Sequence, residues 1–150
     1  MAETMKRLIT HYDGYTNTFQ SLITPFLLLT CRFWVAWVFF NSGLVKIASW
    51  QSTLYLFEFE YQVPLISWEL AAYLGTATEL IVPIFIVLGL FTRPMALLLF
   101  VLNIVAVLSY PLLWEKGFHD HQLWGLMMLV VLVWGPGPYS CDQFLRSKLG

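Results

Sequence analysis

The chain has 150 residues, of which 59% are hydrophobic and 17% aromatic, while only 11% carry a charge; its mean hydropathy is +0.70. That composition excludes an ordinary soluble domain of this length, and a formal net charge of -1 excludes the basic surface that nucleic-acid binding requires. A soluble helical bundle would carry a polar stripe along each helix, and the apolar runs here carry almost none.

Residues 1–21 are polar with scattered aromatics (Tyr12, Tyr15, Phe19), which predicts a cytoplasmic arm or a short helix lying at the membrane interface. Lys6 and Arg7 are followed by only Leu8 and Ile9 before polar residues resume, too short a run for a cleavable signal peptide. The first predicted span, about 22–43, is therefore read as a retained anchor, with Pro25 in its first turn. Arg32 lies inside this run, where a cation is costly unless it finds a partner. At the helical period Arg32, Ala36, Phe39, Gly43 and Lys46 share one face.

Residues 49–64 mix Trp50, Tyr55, Phe57, Phe59 and Tyr61 with Glu58 and Glu60. Aromatics beside carboxylates suit the water–lipid boundary, so a short interfacial segment or an exposed loop is expected. The second span, 68–90, contains Glu79, with Ala72, Gly75 and Thr76 on a surface small enough for close helix packing. Gly89-Leu90-Phe91-Thr92-Arg93-Pro94 is a helix stop followed by a start. The third span, 95–113, carries Asn103 near its middle. The fourth run, 118–134, is short: from His121 to Trp134 is about 21 Å of helix against a hydrocarbon core of about 30 Å. Gly135-Pro136-Gly137-Pro138 ends it, and residues 135–150 form a basic tail.

The fold class expected is all-α: an integral membrane four-helix bundle with a short interfacial segment between helices 1 and 2. Lys6, Arg7, Arg93, Arg146 and Lys148 fall in the N-terminus, the second connection and the C-terminus, whereas Glu58, Glu60, Glu69, Glu115 and Asp120 fall in the other two connections. By the positive-inside rule both termini face the cytoplasm. Cys31 and Cys141 form no Cys-x-x-Cys pattern, so neither a disulfide framework nor a dithiol redox site is indicated.

Counting helical rise places Arg32 about 15 Å into the first span, Glu79 about 16 Å into the second and Asn103 about 15 Å into the third. A mid-membrane layer with an Arg32–Glu79 ion pair follows from that arithmetic; it either fixes helix register or contacts a polar ligand. Lys46 lies at the outer rim. His119, Asp120 and His121 suggest metal ligation, but residues two apart on a helix point in nearly opposite directions, so a metal is disfavoured. Asp120 as an N-cap, with His121 facing the bundle, is the alternative.

Arg32 followed by Phe39 to Ile47 (Phe-Phe-Asn-Ser-Gly-Leu-Val-Lys-Ile), Gly75-Thr76-Ala77-Thr78-Glu79-Leu80, Gly89 to Arg93, and Asp120-His121-Gln122-Leu123-Trp124-Gly125 together resemble the DoxX family. The resemblance covers roughly residues 24–140 and extends to the small subunit of archaeal thiosulfate:quinone oxidoreductase. It implies a four-helix protein of the bacterial inner membrane, linked to redox or oxidative-stress systems, with Arg32, Lys46, Glu79 and His121 on the recurring motifs. It does not fix a reaction.

Two functions stay open on this reading. One is a membrane subunit that binds quinone or a similar amphiphile among its helices. Such a subunit would need a protein partner to supply the redox centre, because the chain shows no cysteine pair, dinucleotide loop or haem-spanning histidines. The other is a non-enzymatic scaffold or binding protein that assembles a partner complex, or supplies it with a ligand or metal. Lipid is a partner in both, a homo-oligomer is compatible with either, and nucleic acid with neither.

Overall fold

A computed structural model describes residues 2–149, and among them the chain is helical with no strand: α1 (Ala2–Ala48), α2 (Trp50–Phe59), α3 (Trp68–Leu88), α4 (Thr92–Ser109), α5 (Leu112–Lys116), α6 (Phe118–Trp134) and α7 (Cys141–Leu149). Three of them, α1, α3 and α4, are long and apolar enough to cross a membrane. The fourth apolar helix, α6, has 17 residues, or about 25 Å at 1.5 Å per residue.

The arm and the first span, expected as separate pieces, are one helix of 47 residues that runs through Pro25. Proline removes one main-chain hydrogen bond, but the helix continues. At about 70 Å, α1 is more than twice the thickness of a hydrocarbon core. Its first half is uncovered: among the described residues the first buried one along it is Leu28.

The segment after α1 is helical rather than a loop. In α2, Thr53 and Phe57 are buried, and Phe57 packs with Ala71 and Ala72 of α3. The N-terminus of α3 is capped by Ser67, whose hydroxyl accepts from the Leu70 amide at 3.3 Å. Its C-terminus closes on Gly89 at φ +67°, a left-handed conformation that glycine adopts without strain. The helix α4 begins and ends earlier than the expected 95–113. It stops because Tyr110, held extended at φ -122° and ψ 94°, precedes Pro111, and a residue before proline is pushed out of the helical region.

Packing follows an alternating order, with α1 against α3 and α6, and α4 against the same two. Cys31, Val35, Ala36 and Phe39 of α1 meet Val82 and Ile86 of α3, Ala96 and Leu99 of α4, and Met128 and Val131 of α6. The small Ala36 and Ala96 let helices approach closely. Bulky apolar side chains point outward instead, among them Trp34, Trp37, Ile84, Leu98, Leu126 and Val133, as expected where the surrounding solvent is lipid. The α3–α4 turn and α7 lie at one end of the helices, here the α7 end. The opposite end, with α2 and α5, is the α2 end.

Candidate functional site

Polar side chains enter the apolar interior in three clusters. At the α7 end, Arg32 is 1% exposed. Its Nε donates to Ile86 O at 2.9 Å, Nη2 to Val87 O at 2.6 Å, and Nη1 to both Pro136 O and Tyr139 O at 2.8 Å. The last carbonyls of a helix have no partner within it and carry the negative end of its dipole, so the guanidinium takes up two of them from α3 and two more from the segment after α6. A fork of donors in one plane suits this geometry where a lysine ammonium would not. Gly89 leaves the necessary room: a Cβ there would lie 2.6 Å from Arg32 Nη2.

The expected Arg32–Glu79 pair is therefore not formed. The depth count began at residue 22, where the apolar run starts, but α1 enters the packed interior only at Leu28. Arg32 is level with Ile86 and Val87, near the end of α3, rather than with Glu79.

Glu79 instead meets Lys46 toward the α2 end. Lys46 Nζ lies 2.6 Å from Oε2 and 2.8 Å from Oε1, and also donates to Ser42 Oγ at 2.8 Å. Ser42, one turn before Lys46 on α1, donates to Glu79 Oε1 at 3.3 Å. Gly43 permits the contact, since a Cβ there would sit 3.2 Å from Glu79 Cβ and 2.8 Å from Leu80. Next to this pair, Tyr61 stacks on Phe57 and lies 4.7 Å from the Tyr110 ring, while Tyr110 Oη donates to Glu60 Oε2 at 2.9 Å. Burial pushes the Tyr61 phenol up to about 12, and the negative charge of Glu79 adds to the shift.

Asn103 of α4 and His121 of α6 form the third cluster. Asn103 Nδ2 donates to His121 O at 3.0 Å, and Asn103 Oδ1 lies 2.7 Å from His121 Nδ1. The two residues stand in the wall of a cavity of about 570 Å³ between α4 and α6, lined also by Gln122 and by apolar side chains such as Phe100, Leu126 and Leu129. Trp114 of α5 and Phe118, stacked at 5.1 Å, line it toward the α2 end. Volume, apolar lining and few polar groups are those of a small-molecule site.

His119 and Asp120 are exposed, while His121 is half-buried against Asn103. On consecutive positions of α6 the three do not converge, and among the described residues no group of three or more His, Cys, Asp or Glu could hold a metal ion. Nor is Asp120 the N-cap. Gly117 holds that position, which leaves Asp120 in the first turn, where a carboxylate favours the helix dipole.

Two participants escaped the sequence reading. Ser42 had a signal, its i,i+4 spacing to Lys46. Asp142 had none: it lies in the basic tail, and its carboxylate crosses to the start of α4, accepting from the Phe91 and Thr92 amides and the Thr92 hydroxyl, each at 2.9 Å. Burial opposes its ionisation, but those three donors together hold its carboxyl below the usual range.

The family model for DoxX matches residues 27–111. This chain belongs to the DoxX family. The match opens beside Leu28, where α1 becomes buried, and contains Arg32, Lys46, Glu79 and Asn103; His121 lies beyond it. A protein of Haemophilus influenzae described as uncharacterized is 29% identical over 129 residues, which span 80% of this chain and 83% of that one. No solved structure matches.

Proposed function

We propose that α1, α3, α4 and α6 cross the bacterial inner membrane as a four-helix bundle with both termini cytoplasmic, and that the cavity between α4 and α6 binds quinone or a similar amphiphile. On this reading the protein is the membrane subunit of a redox system, and a partner protein carries the redox centre. His121 is the ligand contact, and Asn103, both of whose side-chain heteroatoms face His121, orients it. Arg32, Lys46 and Glu79 are the buried polar network that sets helix register around them. The supporting charge pattern is Arg93, Arg146 and Lys148 at the α7 end, the cytoplasmic end by the positive-inside rule.

The observation that carries this reading is the cavity of about 570 Å³, apolar except for a few polar groups that include Asn103 and His121. A flat aromatic head needs such a slot, with hydrogen-bonding groups for its oxygens. The test is to purify the protein in mild detergent and extract its bound lipids. Quinone should be recovered from the native protein and lost from Leu126→Trp, which fills the cavity from a side chain that is 62% exposed. Equal recovery from both, or none from the native protein, would overturn the reading.

One feature favours the non-enzymatic scaffold instead. Met5, Leu8, Tyr12, Tyr15, Phe19 and Leu22 recur at alternating steps of three and four along the uncovered half of α1, all more than half exposed. That spacing makes a continuous apolar seam. An extract free of quinone, together with a protein that co-purifies until residues 1–20 are deleted, would select this reading.

A further inference from the structure

Asn103 determines which nitrogen of His121 carries the proton. Its Nδ2 donates to the His121 carbonyl at 3.0 Å, so its Oδ1 is the atom that faces His121 Nδ1 at 2.7 Å. A carbonyl oxygen only accepts, so Nδ1 must be the donor. In a neutral imidazole the remaining nitrogen, Nε2, then holds a lone pair and no hydrogen. No partner for Nε2 is found among the described residues, and His121 is half-buried in the cavity wall. Asn103 is 4% exposed and spends both its heteroatoms on His121. Gln122, exposed in the same wall, can donate or accept and so does not discriminate. The ring nitrogen that His121, a residue of the cavity wall, leaves without a partner is therefore an acceptor.

We propose that the cavity selects a hydroxyl-bearing aromatic head, the hydroquinone or phenol form of an amphiphile, over the corresponding quinone, with the hydroxyl donating to His121 Nε2. The proposal rests on the reading of the cavity as an amphiphile site and adds which form it takes. A hydroquinone brings the donor that Nε2 lacks. A quinone brings only carbonyl oxygens, so two acceptors would face each other and one would be buried unpaired, which is unfavourable.

The experiment measures binding of three probes to the full chain in detergent at about pH 8, above the ordinary imidazole pKa: a long-chain hydroquinone, its quinone and its dimethyl ether. The hydroquinone should bind at least about tenfold more tightly than the other two, because a site built to receive a hydroxyl rejects analogues that lack one. Two variants locate the preference. In His121→Phe the cavity stays apolar but the acceptor is gone, so the three affinities converge. In Asn103→Leu the imidazole is free to place its hydrogen on either nitrogen, so the preference shrinks while binding persists. If the quinone or the ether binds as tightly as the hydroquinone, the inference fails and the amphiphile site stands. If none of the three binds the native protein, the amphiphile site itself fails, and the inference with it.

Discussion

Lys46 of α1 contacts both carboxylate oxygens of Glu79 on α3, at 2.6 and 2.8 Å. Arg32, about 21 Å further down the same helix, is held by four main-chain carbonyls. These two cations in the packed half of α1 thus solve the same desolvation problem differently. Lys46 has a counter-ion, while Arg32 has a cage of dipoles.

An ion pair with side chains only 18% and 12% exposed makes each partner depend on the other. Removing one leaves a charge buried without compensation, at a cost of about 3 kcal/mol, whereas replacing both with apolar residues costs much less. Lys46→Met and Glu79→Leu should each lower the thermal midpoint in detergent, and the double variant should recover most of the loss. Additive losses in that double-mutant cycle would mean the pair is not coupled.

The Arg32 cage predicts that charge alone is insufficient. Arg32→Lys keeps the cation but cannot reach four carbonyls spread over α3 and the segment after α6, and it should destabilise the protein by about 3 kcal/mol. Because Pro136 and Tyr139 supply two of the acceptors, the first consequence is release of that segment. Limited proteolysis between residues 135 and 140 should accelerate in the variant. Unchanged cleavage would show that the cage does not hold the tail.

Asp142 joins α7 to the start of α4, and its folded-state pKa lies below the ordinary carboxylate value because burial is outweighed by bonds to Thr92 and Phe91. A depressed acid contributes stability that is present above its unfolded pKa and is lost as pH falls through its folded pKa. Docking of the tail should therefore weaken as pH drops below about 4, read as faster cleavage by an acid-active protease. Asp142→Asn should flatten that dependence and Asp142→Ala should cost about 1 kcal/mol at neutral pH, as for a lost helix cap. A native-like acid profile in Asp142→Asn would assign the effect to another group.

Deleting residues 1–20 should leave the stability within about half a kcal/mol of the intact chain, because among the described residues nothing in α1 is buried before Leu28. Circular dichroism of the truncated protein in detergent would check it. A large fall would mean the uncovered seam of α1 contributes to the fold.

The residues that matter at these sites stand out in the sequence for a local reason: Arg32, Glu79, Asn103 and His121 are polar residues in or at the start of apolar runs, and the cost of burying them is legible wherever the run is legible. The helices were legible on the same ground, since α3, α4 and α6 follow from apolar length and from Gly and Pro punctuation. Partner choice was not. It depends on how far one helix slides past another, and an offset of about two helical turns exchanged the expected Arg32–Glu79 pair for Lys46–Glu79. Main-chain acceptors were equally hidden, because every residue carries a carbonyl and only the fold shows which ones come within reach of Arg32. The sequence by itself determined that this DoxX chain would be helical, apolar on the outside and charged at a few buried points. The tertiary structure decided which of those points meet, because a side chain's solvation cost is a local property and its partner a property of helix register.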